Sequence, residues 1–195
     1  MLTMRLLVLV AALAVPATAL ANAVGGPRIR PTDLRSAKLL LEGLERSATL
    51  RTLVNELDAR NLIVYLEMQP RLRARLAGSL TWITATPKFR YVRISWNPEM
   101  GAETAIATLG HELQHALEVA QEPSIVSAAT LEAFYRKHGI DMRSHNGWDT
   151  LAARDRGDAV RRELAVDAGA SAAESLGTFD PANWHVVYRR LRQEG

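Results

Sequence analysis

The 195-residue chain carries 24 Lys and Arg against 21 Asp and Glu, a net charge of only +3 that comes mainly from Arg. Acidic residues are interspersed nearly everywhere, and the Arg71, Arg73, Arg75 and Arg189, Arg190, Arg192 clusters lack interleaved aromatics, so they read as solvated faces and no nucleic-acid partner is expected. The chain has no Cys, which excludes disulfides and thiolate metal sites and leaves stability to a hydrophobic core, helped at most by a metal.

In chain order, Met1 to Arg5 precede an apolar run from Leu6 to Val15 and then small residues through Ala23, the layout of a secretory signal peptide over residues 1–23. The run is about half the length needed to span a bilayer, and no later stretch approaches that length. With no Cys for lipid attachment, no stable membrane insertion is expected after cleavage, and the expected location is secreted or periplasmic. Residues 24–195, about 170 in number, suit a single domain with its own core.

From Asp33 to Arg60, Leu34, Leu39, Leu41, Leu44, Leu50, Leu53, Val54 and Leu57 recur at helical spacing, broken near Ser47, where a new cap fits. Two helices or one bent helix follow. Leu62 to Leu66 is a compact apolar run rich in β-branched residues and predicts a buried strand. Leu80 to Ala85 and Tyr91 to Trp96 predict two further strands, separated by Thr86-Pro87-Lys88 as by a hairpin loop. A helix is predicted over about Ala102 to Ala120, with Glu103 in its first turn and Pro123 beyond its end. Leu131, Phe134 and Tyr135 indicate a short helix ending near Gly139. A polar loop with the His145-Asn146-Gly147 turn signature comes next. From Asp149, the residues Leu151, Ala152, Val160, Leu164, Ala165 and Ala168 can form one face of a long helix, and a last helix spans about Ala182 to Arg192. The expected fold class is α+β, a small antiparallel or mixed β-sheet packed against several helices.

The helix from Ala102 carries the chemistry. Residues four apart on a helix differ by about 40° in direction, so the imidazoles of His111 and His115 stand on one face and can meet one ion. Ile106, Leu109, Leu113, Ala116, Leu117 and Ala120 form an apolar stripe nearly opposite, which predicts one core face and one cleft face. Thr104, Ala107 and Thr108 on the histidine side are short and leave room above the helix. Zinc takes four nitrogen, oxygen or sulfur ligands and keeps one position for water in catalytic sites, so a further protein ligand is needed. Glu112 projects about 100° from His111 and can flank the water position as a base.

The segment Leu109-Gly110-His111-Glu112-Leu113-Gln114-His115-Ala116-Leu117-Glu118 resembles the active-site helix of the zincin metallopeptidases. The resemblance implies a Zn2+ ion, a metal-activated water and a peptide or protein substrate, with Tyr91 to Trp96 as the strand whose edge pairs with the substrate. For the third ligand, Trp148-Asp149-Thr150-Leu151-Ala152-Ala153 is similar to the gluzincin segment, with Asp149 where that family has Glu. The shorter side chain must then approach the ion more closely. Glu132 is the rival, about twenty residues after His111 and Glu112. Glu118 shares the histidine face but is better placed to accept a hydrogen bond from an imidazole than to bend back to the ion. Peptide hydrolysis also needs a donor for the oxyanion, and His138, His145, His185, Tyr135 and Tyr188 are available. His145, close to Asp149 in the polar loop, is preferred. The expected activity is that of an exported zinc-dependent peptidase. The alternatives are a non-catalytic, metal-stabilised protein that binds a peptide or partner and a zinc hydrolase of non-peptide substrates.

Overall fold

Two short polar side chains set the first helices. The Asp33 carboxylate accepts the Ser36 N–H at 2.8 Å and starts α1, Leu34–Arg46. Ser47 then ends α1 and caps α2, Ala48–Asp58, by accepting the Leu50 N–H at 3.0 Å. A side chain that satisfies an orphan N–H where the backbone turns extended is what divides a continuous apolar periodicity into two helices. The computed structural model describes residues 27–70, 72, 76–142, 147–167 and 184–193. The signal peptide expected over residues 1–23 lies outside them, and no helix among the described residues is long and apolar enough to cross a membrane.

The remaining elements are β1 (Ile29–Pro31), β2 (Leu62–Met68), β3 (Gly78–Ala85), β4 (Arg90–Trp96), α3 (Ala102–Gln121), α4 (Ala128–His138), β5 (Ile140–Met142), β6 (Gly147–Asp149), α5 (Leu151–Asp167) and α6 (Trp184–Gln193). The larger sheet has the order β1-β2-β4-β3. Strands β1, β2 and β4 run parallel, and β3 is antiparallel to β4. The α1–α2 pair supplies the crossover that parallel β1 and β2 require. Strands β5 and β6 form a separate antiparallel ribbon. This is the α+β architecture expected, with a mixed sheet.

Alternation along the strands sends Leu62, Val64, Leu66, Val92, Ile94 and Trp96 to the helices, where they join Leu40, Leu44, Leu50, Leu53, Ile106, Leu109 and Leu113 in one core. Each such side chain, fully buried, contributes about 1.5–3 kcal/mol. The opposite face carries Tyr65 stacked on Tyr91, with ring centroids 6.5 Å apart, beside the Arg93–Glu67 pair at 3.5 Å.

Three local expectations are corrected. Tyr91 to Trp96 is not an edge strand: β4 is paired on both sides, and the edge is β3, whose outer half is largely exposed. The room expected above α3 at Ala107 is filled. Helix α3 is flanked by the sheet on one side and α5 on another, so Ala107 is 1% exposed and does not open onto free space. A Cβ on Gly157 would stand 3.3 Å from the Ala107 carbonyl and 3.2 Å from His111 Cβ, and one on Gly110 would stand 2.7 Å from Val160. Two glycines thus let α3 and α5 approach closely. Helix α5 itself turns Ala153, Gly157, Val160 and Leu164 inward, whereas Leu151, Ala152 and Ala165 are exposed. The apolar residues at its start suggested the wrong face because small alanines tolerate either environment; Ala168 lies outside the described residues.

Candidate metal centre

Where α3, α4, β6 and α5 meet, His111, His115 and Asp149 present three donor atoms within 4.8 Å of one another, a group that could hold a metal ion. Asp149 Oδ1 stands 3.4 Å from His111 Nε2 and 3.7 Å from His115 Nε2. Donors about 2.0–2.2 Å from a tetrahedral ion lie roughly 3.3–3.6 Å from each other; the 3.4 Å separation falls in that range and the 3.7 Å one just beyond it, and two imidazoles with one carboxylate are a donor set that suits such an ion. The short Asp side chain reaches the histidines because β6 ends at Asp149 and α5 then packs directly on α3.

A second set of groups fixes the His115 ring. Its Nδ1 lies 2.9 Å from Glu118 Oε2, the i,i+3 neighbour on α3. The same oxygen accepts the Tyr135 hydroxyl at 3.1 Å, and Glu118 Oε1 accepts the Thr150 hydroxyl at 2.7 Å. Donation from Nδ1 to a carboxylate sets the tautomer that leaves Nε2 free for an ion. Glu118 therefore takes the orienting place that its helical spacing indicated. Thr150 also accepts the Ala153 N–H at 3.1 Å and so caps α5, tying the helix that follows Asp149 to the histidine network.

Charge in this pocket follows from burial and neighbours. Burial disfavours the His115 imidazolium, but Asp149 and Glu118 on its two nitrogens outweigh this and hold its pKa up at about 9. Burial and the neighbouring His115 push His111 down, against the attraction of Asp149. The Asp149 carboxyl, although disfavoured by burial as an anion, is held well below the usual range by the neighbouring His115, by the bond from Arg154 and by the His111 charge. Burial pushes Glu112 up to about 7; His115 opposes that shift and Asp149 adds to it. Burial also raises the Tyr135 hydroxyl, with Glu118 adding to it, so Tyr135 remains a neutral donor.

The site opens on a cleft of about 630 Å³ bounded by Glu112, the histidines, Asp149 and the first half of β3. Strand β3 comes so close to α3 at Gly78 that a Cβ there would lie 2.6 Å from Thr108 Cγ2 and 3.0 Å from Glu112 Oε1. Leu72, Leu76, Leu80, Leu131, Met142 and Trp148 give the cleft apolar walls.

Of the remaining sequence candidates, Glu132 lies on the cleft wall, exposed and paired with Arg136 at 2.5 Å, and is not one of the three converging donors. His145 lies outside the described residues. His138 is exposed against Phe134, His185 is exposed on α6, and Tyr188 is buried with its hydroxyl on Asp58. Of the described members of that group, Tyr135 alone reaches the site.

Sequence reasoning did not single out Thr150 or Arg154. Arg154 Nε–H donates to Asp149 Oδ2 at 2.7 Å. A signal for both existed: if Thr150 is the cap of α5, Asp149 precedes the cap and Arg154 is the fourth helical residue, two positions that meet at a helix start. No family model matches the chain, and no curated protein or solved structure does either.

Proposed function

We propose that the chain is an exported zinc-dependent peptidase in which His111, His115 and Asp149 hold the ion and Glu112 handles the proton of the attacking water. The observation that carries this reading is the convergence of the three donors on a cleft that also receives Glu112 and is lined by β3, a strand with one edge unpaired among the described residues. When bound, zinc supplies Lewis acidity, lowering the pKa of water towards 7 and polarising a carbonyl.

The chain's own groups supply the rest. The Glu112 carboxylate takes the proton from water and returns it to the departing amide nitrogen. In the metal-free chain burial raises this carboxyl to about 7, towards the range in which one group both takes and gives a proton near neutral pH. The outer edge of β3 carries backbone N–H and C=O groups with no strand partner among the described residues, a template for an extended peptide. The apolar walls of the cleft favour apolar side chains beside the cleaved bond. Glu118 and Tyr135 keep His115 from turning.

The test is Glu112→Gln, with metal analysis and a digest of a mixed peptide library. The variant is expected to retain zinc and lose about 10²–10⁴-fold in cleavage rate. Stoichiometric zinc with no cleavage by the unmodified chain would move it to the binding class. Cleavage undiminished in Glu112→Gln would remove Glu112 from the reaction.

A further inference from the structure

The two oxygens of Asp149 are engaged differently. Oδ1 faces both histidine Nε2 atoms and accepts the Thr150 backbone N–H at 2.7 Å. Oδ2 accepts the Arg154 Nε–H, also at 2.7 Å. Arg154 is fixed at both ends: its backbone N–H reaches the Thr150 carbonyl at 3.2 Å, and its Nη2 donates to Met142 Sδ on β5 at 3.1 Å. Helix start and ribbon together therefore hold the guanidinium against Oδ2 of Asp149, the oxygen other than the one set 3.4 and 3.7 Å from the histidines. A carboxylate with two free oxygens can ligate an ion through one or both, whereas a charge-assisted bond to one oxygen restricts it.

We propose that Arg154 is the positioning residue of the metal centre, keeping Asp149 a one-oxygen ligand through Oδ1. Three protein atoms would then hold the ion, one each from His111, His115 and Asp149, with its other positions open to water and substrate. The inference rests on the metal reading of His111, His115 and Asp149. It also explains how an aspartate serves where the similar peptidases use a glutamate: the short carboxylate is aimed by a cation one helical turn on. The Arg154 side chain is 41% exposed, so replacing it does not open the core.

The experiment uses cobalt(II) and zinc as probes, with affinities from competition against a chromophoric chelator. Arg154→Met is expected to retain one ion per chain, to bind it about ten- to a hundredfold more weakly, and to show a weaker visible cobalt band as the second Asp149 oxygen joins the ion. Arg154→Lys, which restores charge and a donor, is expected to recover part of both. In the unmodified protein, the Arg154 Nε–H proton should remain protected from exchange after zinc is added, a readout independent of how either variant folds. Unchanged affinity and spectrum in Arg154→Met, a lysine variant as weak as the methionine one, or loss of that protection on zinc binding would each overturn the role of Arg154 while leaving the metal site standing. Failure of the unmodified chain to take up either ion would overturn the metal reading itself, and the inference with it.

Discussion

On one side of α3, Ile106, Leu109, Leu113 and Leu117 are buried in a cluster with Leu50, Val92 and Ile94. On another, His111, His115 and Glu118 meet Tyr135, Asp149 and Thr150 through polar contacts of 2.7 to 3.7 Å. The apolar side gains from area removed from water, without regard to direction, and tolerates exchange among side chains of similar volume. The polar side depends on the partner of each atom. Every buried side-chain nitrogen and oxygen among the described residues has one, and a buried polar group left alone costs about 1–3 kcal/mol. One helix thus divides its work, with folding energy on one flank and a directed set of donors on the other. Mutations should separate along the same line.

The sharpest separation is expected from Glu112→Gln, where cleavage collapses and the apolar flank is untouched. Next comes Ile106→Ala. Unfolding by urea in the presence of a chelator should show a loss of about 2–5 kcal/mol, while the protein that remains folded binds zinc as before. A zinc affinity that falls with Ile106 as steeply as with Asp149 would break the comparison.

Acidity tests the polar flank alone. His115 stands at about 9 against an ordinary 6.5, and Glu112 at about 7 against 4.5. Both groups are raised, so between about pH 4.5 and 9 these two hold more protons in the folded, metal-free chain than in the unfolded one, while His111, pushed down from 6.5, opposes them at the acid end. Their stabilising contribution is complete at the acid end and is lost as pH rises through about 7 and then about 9. Asp149 works oppositely: its pKa is lowered, so its contribution is present above the ordinary 3.8 and lost only on further acidification. Zinc must displace the proton on His115, so the stabilisation it brings should grow over the same rise in pH. Melting temperatures from pH 5 to 9, with chelator and with zinc, are expected to diverge. Parallel curves would mean that the histidines do not exchange protons for metal.

The smallest effect is assigned to Tyr135→Phe. The ring edge against His115 remains, with centroids 5.3 Å apart, while the hydroxyl on Glu118 is lost. A cost of about 1 kcal/mol in unfolding and a fall of no more than about tenfold in zinc affinity would sharpen the view of Tyr135 as a support for the ring.

What could be read from the chain alone follows the range of the interaction. The division at Ser47, the β3–β4 hairpin and the extent of α3 before Pro123 depend on signals within a few residues. So does the common face of His111 and His115, with Glu118 one turn on. Strand β1 is three residues ending in proline, too short for any periodicity, and exists through its pairing with β2. Which arm of the hairpin is the edge depends on β2 pairing with β4, a contact between distant segments. The cover over Ala107 depends on α5 and is invisible in the motif. Of the site, Asp149 was visible through resemblance. Tyr135 could be named only as one of five donors, and Thr150 with Arg154 would have emerged had the cap of α5 been recognised.

Zinc titration of the unmodified protein beside Asp149→Ala bears on all of this at once. One ion per chain should bind the unmodified protein, and Asp149→Ala should bind far more weakly while retaining its helical content in chelator. No uptake by the unmodified chain, or uptake that Asp149→Ala leaves unchanged, would contradict a metal centre built from His111, His115 and Asp149.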